Sequence, residues 1–180
     1  MGSGSGLACD LTLNSALSPE LMARYQNQAT VRRVLGRSRT IAMVGLSTHR
    51  QKASSFVATY LQSHGFKIIP VHPNAKEILG EPAYPTLLDI NGEVDIVNIF
   101  RPPRECPLYA QQAVAIGAKA FWLQLRLISE DAAAIADGAG LDVVMDRCIK
   151  MEHGRYDGTM HFVGLNTGIV TARRARQWLR

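Results

Sequence analysis

The apolar residues of this chain gather in five short runs, at 40–45 (TIAMVG), 66–71 (FKIIPV), 94–100 (VDIVNIF), 120–125 (AFWLQL) and 141–145 (LDVVM). None of them alternates cleanly between apolar and polar residues. Near-continuous apolar runs of this length fit strands buried on both faces, as in a parallel sheet. The segments between them carry helical spacing. In 54–63, Phe56, Val57, Tyr60 and Leu61 share one helical face, and Gly65 ends the helix. A further helix spans 103–116 with Gly117 as its cap. Another is capped by Ser129, with Glu130 and Asp131 in the first turn, where the helix dipole favours acids. Ser18-Pro19-Glu20 starts a helical region ahead of the first strand, and the pattern carries it to about Gly36. The stretch after the second strand, with Pro82 and Pro85, reads as looser.

Strand and helix thus alternate through the chain with short links. Right-handed crossovers leave few arrangements for such a series. The expected fold is α/β: a doubly wound, Rossmann-like, five-stranded parallel sheet of order 3-2-1-4-5 with an N-terminal helical extension. That order puts the crevice between the first and fourth strands, at the carboxyl ends. The expected organisation is a flexible N-terminus (1–17, of which the MGSGSG at 1–6 reads as a cloning remnant), the sheet domain (18–153) and a C-terminal extension (154–180).

Composition narrows the partners. Of 180 residues, 47% are hydrophobic and 19% charged, a globular mixture. No apolar run approaches the roughly 18 residues of a membrane helix, and no secretory signal is read at the start, so a soluble cytoplasmic protein is expected. Cys9, Cys106 and Cys148 lie far apart without a CxxC pair, which fits reduced thiols and no metal site. His49, His64 and His161 likewise lack ligand spacing. The net charge of +5 includes Arg173, Arg174, Arg176 and Arg180 near the end. Without aromatics interleaved, that run reads as a solvated helix face, and no nucleic-acid partner is expected.

The loop after the first strand holds the chemistry. Gly45 would let a ligand approach the backbone, Ser47 and Ser54 offer hydroxyls, and Arg50 and Lys52 offer cations beside a helix N-terminus. Together these suit phosphate. The loop lacks the second glycine of a GxGxxG turn, and the second strand ends Val71-His72-Pro73-Asn74 with no acid for a ribose. A standard NAD site is therefore not expected.

Taken together, IAMVGLS and KASS at the first turn, then IIPVHPNAKEILGEPAYPTL, VDIVNIFRPPRECP, GAKAFWLQL and GLDVVMDRCIKMEH, resemble the small stand-alone CoA-binding proteins related to the CoA-binding domain of succinyl-CoA synthetase. The resemblance covers about residues 40–153. It implies coenzyme A as the ligand, with Gly45, Ser47, Lys52 and Ser54 around its phosphates. Pro70, Val71, Pro73 and Asn74 would line the adenosine side. Phe100 and Arg101 would wall the nucleotide, and Gln124 to Arg126 would face the pantetheine arm. Arg126 stands where the family pattern leads one to expect Gly. Cations at 50, 52, 76, 101 and 104 agree with a polyanionic ligand.

No catalytic residue is assigned. The expected function is binding of CoA or an acyl-CoA as a small-molecule ligand. One alternative is an acyl-CoA-using transferase or ligase-related enzyme drawing on Cys148 and His153. Another is a regulatory module for NADP or ADP. Phe162, Leu165 and Ile169 in the tail are a candidate homodimer contact.

Overall fold

The computed structural model describes residues 17–156. Two helices, α1 (Pro19–Tyr25) and α2 (Gln28–Arg37), precede β1 (Thr40–Val44). The chain continues through α3 (Ala53–Ser63), β2 (Lys67–Val71), a small antiparallel ribbon of β3 (Glu77–Ile78) and β4 (Glu81–Pro82), then β5 (Ile96–Ile99). It ends with α4 (Cys106–Ala115), β6 (Ala120–Leu123), α5 (Glu130–Gly138), β7 (Asp142–Val144) and α6 (Ile149–Tyr156). Five strands form one parallel sheet, its register set by pairs such as Ile41 with Ile68 and Ile96, and Asn98 with Trp122.

Both faces are covered, which is why these strands are apolar throughout. Val97, Ile99, Phe121 and Leu123 pack under α4 and α5, while Ile41, Met43, Ile96 and Trp122 pack under α2, α3 and α6. Each fully buried Leu, Ile or Phe here contributes about 1.5–3 kcal/mol. The indole N–H of Trp122 donates to the Arg147 carbonyl at 2.7 Å, which lets so large a side chain be fully buried.

The sheet order is β2-β1-β5-β6-β7. In the numbering of the five predicted strands this is 2-1-3-4-5, so the expected order 3-2-1-4-5 is corrected at one strand. The cause is Pro70. Its carbonyl accepts from Tyr84 N at 2.9 Å on the side away from β1. Its ring nitrogen, which cannot donate, faces the same way. A strand with a proline turned outward belongs at an edge. The third predicted strand, β5, therefore lies on the far side of β1, and the switch point falls between β1 and β5 rather than between the first and fourth strands.

The expected single helix up to Gly36 is two. Asn27 caps α2, its side chain accepting from Ala29 N at 2.8 Å and Thr30 N at 3.3 Å, and the chain turns there. At the other edge of the sheet, Arg33 and Arg37 of α2 hold Asp142 of β7 at 2.6 and 2.5 Å, and Met145 donates its N–H to the Tyr25 carbonyl.

Asp95 ties the amino ends of three strands. Its Oδ2 accepts from Arg39 N (2.7 Å), Thr40 N (3.0 Å) and Thr40 Oγ1 (3.1 Å), and its Oδ1 from Lys119 Nζ (2.7 Å). Burial pushes its pKa up, but the hydrogen bonds from Lys119, Arg39 and Thr40 outweigh this and hold the carboxyl well below the usual range.

Candidate functional site

The strands β1, β2, β5 and β6 deliver four loops to the carboxyl end of the sheet. The first begins at Gly45, with φ +81°. A Cβ there would stand 2.8 Å from both the Phe100 carbonyl oxygen and Arg101 Cδ. Only glycine fits, because it lets the loop after β1 and the loop after β5 touch. The close approach expected of a ligand is thus made by the protein's own chain.

Serine hydroxyls then fasten the loop. Ser54 Oγ accepts from Ser47 N at 3.1 Å and Ser47 Oγ from His49 N at 3.1 Å. Ser55 donates to the carbonyls of Ser47 and His49, both at 2.9 Å. Ser47 and Ser54 act here as acceptors, Ser47 half-buried and Ser54 buried. Lys52 is the N-cap of α3 with no side-chain cap bond, and the first N–H groups paired within the helix are those of Ser55 and Phe56. Among the described residues, no hydrogen bond reaches the N–H of Ala53 or Ser54. This leaves an eleven-residue helix with donors free and cations Arg50 and Lys52 exposed beside them.

At the end of β2, Pro70 and Val71 are buried in the strand, whereas Pro73 and Asn74 are exposed on a turn. His72 closes that turn, its Nδ1 accepting from Asn74 N (3.2 Å) and Ala75 N (3.0 Å). Beyond it the β3–β4 ribbon faces α3 across a groove of ≈ 800 Å³, whose lining includes Ser47, Thr48, Arg50, Phe56, Glu77 and Leu79. Phe56 is 59% exposed there, a flat apolar face next to phosphate donors. Sequence reasoning had assigned it to the helix face; its place in the first turn of α3, opposite the bury-side pair Val57 and Leu61, was the available signal.

Phe100 is half-buried. Arg101 is exposed, and its Nε donates to Glu105 at 2.8 Å; that bond raises the already high guanidinium pKa. Arg104 stays exposed. Beneath this loop, Cys106 is buried and its thiol is pushed up to about 11, first by burial and then by Glu105, so it is inert at neutral pH.

Gln124 is buried rather than displayed, and its amide donates to Asn98 Oδ1 at 2.7 Å. The Asn98 side-chain nitrogen is buried with no partner, an orphan donor in the middle of β5. Arg126 is exposed at φ +67°, and its N–H donates to Asp146 Oδ1 at 2.5 Å; Asp146 itself has φ +56°. The position expected to favour glycine is therefore a left-handed one. Neither Asn98 nor Asp146 was singled out from the sequence, since an Asn inside an apolar run and an Asp in a loop carry no motif.

His153 is at the opposite end of the sheet. Its Nδ1 stands 3.2 Å from Tyr60 Oη, and its ring meets Phe66 and His64 edge-on. Cys148 is half-buried against the same core. Among the described residues, no group of three His, Cys, Asp or Glu could hold a metal, and no helix is long and apolar enough to cross a membrane. Phe162, Leu165, Ile169 and the arginines at 173, 174, 176 and 180 lie outside the described residues.

Free helix-terminal N–H groups, serine hydroxyls, unpaired cations and an exposed aromatic ring together fit an anionic nucleotide such as coenzyme A. Residues 39–154 match the family described as CoA binding domain. The chain is 39% identical over 127 residues to the uncharacterized protein YneT of Bacillus subtilis, covering 71% of this chain and 94% of that protein. It is 35% identical over 83 residues to an ADP-forming acetate–CoA ligase II of Archaeoglobus fulgidus, a match spanning 45% of this chain and only 12% of the ligase. Among solved structures, a hypothetical protein from Pyrococcus horikoshii superposes with a TM-score of 0.70 at 37% identity, over 73% of this chain and 92% of its own.

Proposed function

The chain belongs to the CoA-binding domain family, and on that premise we propose that it is a cytoplasmic binder of coenzyme A or an acyl-CoA with no catalytic machinery of its own. The observation that carries the reading is the amino end of α3, where Ala53 and Ser54 offer unpaired N–H groups just after the exposed cations Arg50 and Lys52. The pyrophosphate is held there, with the Ser47 and Ser54 hydroxyls donating to it. The adenosine lies along the groove beside Phe56 and the turn at Pro73 and Asn74. The pantetheine arm runs over the β5 and β6 exits. The orphan Asn98 donor and the Gln124 side chain lie under that path.

Each exposed anion–dipole contact of this kind is worth about 0.3–1 kcal/mol. Micromolar affinity, about −8 kcal/mol, therefore needs the phosphates, the base and the arm together. His153, one of the two residues an enzymatic reading would draw on, packs at the other end of the sheet with Tyr60 and Phe66.

Calorimetric titration of ligand-stripped protein with CoA, acetyl-CoA, ADP, NAD and NADP tests the reading. Micromolar binding of CoA above the other four is expected. Clear binding of NADP or ADP with none of CoA would keep the fold and overturn the function.

A further inference from the structure

We propose that Arg126 makes the site select acyl-CoA molecules whose acyl group ends in a carboxylate, a specificity that rests on the CoA reading above. Among the described residues only Leu79, Arg126 and Asp146 are non-glycine residues at positive φ. Two of the three are bonded to each other at the carboxyl end of the sheet, Arg126 N–H to Asp146 Oδ1. The backbone of Arg126 is thus pinned in a conformation that suits glycine, while its side chain is exposed and adds nothing to the core. Strain held at a ligand-facing end, with no packing to explain it, points to the side chain's function.

The charge at this position is also unspent. Arg101 is paired with Glu105 and Arg147 with Glu152, but Arg126 makes no ion pair among the described residues. Asp146 itself is already taken up by the Arg126 backbone and by Gln26 Nε2.

Position decides what that charge meets. Neighbouring strands are about 4.8 Å apart, so the exit of β6 lies roughly 10 Å from the exit of β1, two strands away. An extended pantetheine arm anchored by its phosphates at α3 is longer than that, and its sulfur end arrives at β6. The exposed Leu125 there offers an apolar surface for a short acyl chain. An exposed guanidinium on the next residue recognises a terminal carboxylate in bidentate fashion, which an uncharged acyl group cannot match.

The test uses two stable thioethers of nearly the same shape, S-(2-carboxyethyl)-CoA and its neutral amide, S-(2-carbamoylethyl)-CoA, titrated calorimetrically into stripped protein alongside CoA. Wild-type protein is expected to bind the carboxylate about tenfold more tightly than the amide, with the ratio shrinking as salt rises. Arg126→Asn, which tolerates the left-handed backbone, is expected to bring the ratio to about one. Arg126→Lys should keep a several-fold preference. Ligand-free melting curves of each variant confirm that the turn still folds. A ratio near one in wild type would overturn the proposal, as would a tenfold ratio that survives in Arg126→Asn or a Lys variant as indifferent as the Asn variant. Failure of wild type to bind CoA at all would overturn the CoA reading itself, and this specificity with it.

Discussion

At the amino-terminal end of the sheet, one buried carboxylate gathers four donors from two neighbouring segments, and Tyr60, Phe66, His64 and His153 close the adjoining corner with ring contacts. At the carboxyl-terminal end the same strands, one of them holding an orphan amide, run into loops with free N–H groups, exposed cations and two non-glycine residues at positive φ. Apart from the buried Ser38 hydroxyl, the first end is satisfied, and the second is held ready. Stability and binding are therefore placed at opposite ends of one rigid sheet, so a change at either end should be felt mostly in one of the two measurements.

The largest expected effect breaks the satisfied end. Asp95→Ala removes the acceptor for Arg39 N, Thr40 N and Lys119, and should cost about 3 kcal/mol of stability, lowering Tm by roughly 10 °C. CoA affinity per folded molecule should change by less than about twofold. A large affinity loss in this variant would show that the two ends are coupled. Gly45→Ala attacks the other end and is the exception that should register in both measurements. Its Cβ would collide with Phe100 and Arg101 at 2.8 Å, so about 2 kcal/mol of stability and most of the CoA binding should go together. Lys52→Glu should leave denaturant midpoints unchanged or slightly raised, because Lys52 is exposed at a helix N-terminus that favours an acid, while weakening CoA by at least about tenfold in titration. Undiminished binding would remove the phosphates from α3.

Acid sharpens the same contrast. Asp95 titrates lower in the folded state than its usual 3.8. Its stabilising contribution is therefore complete above that value and is lost as pH falls below it toward the depressed folded pKa. Urea midpoints should drop on going below about pH 4, and the drop should be shallower in Asp95→Asn. The smallest effect is a gain. Arg126→Gly relieves a left-handed backbone and should stabilise the ligand-free protein by about 0.5–1 kcal/mol, read as a slightly higher Tm.

The fold was legible where the hydrophobic rhythm was strong. All five buried strands and the helices between them stand where the runs put them, because burial on both faces leaves an unmistakable apolar signature. Strand order was less legible, since alternation alone does not say which side of β1 receives the third strand. The deciding residue, Pro70, was in plain view, but its meaning depends on which way its nitrogen faces. Asn27 was a similar case: one capping side chain split a helix that the apolar pattern left whole. Of the candidate site, the loop chemistry at Gly45 to Ser54 was legible as a motif. What the sequence could not convey was which hydroxyls the loop uses on itself, or that Gln124 is buried against Asn98. Those depend on contacts between residues far apart in the chain. The glycine expected at 126 and the left-handed backbone found there are the point where pattern and geometry met on a single residue.

The outward nitrogen of Pro70 has a further consequence for how copies of this protein meet. Open sheet edges invite strands from other molecules to add on, which is the common route to fibrils. Here Pro70 withholds a donor on one flank and the Tyr84 segment occupies the neighbouring positions. On the other flank, Arg33, Arg37 and the Tyr25 carbonyl are laid against β7. With both flanks guarded, growth of the sheet from one molecule into the next is blocked at each margin, and concentrated solutions should resist amyloid-like assembly as long as α2 stays docked.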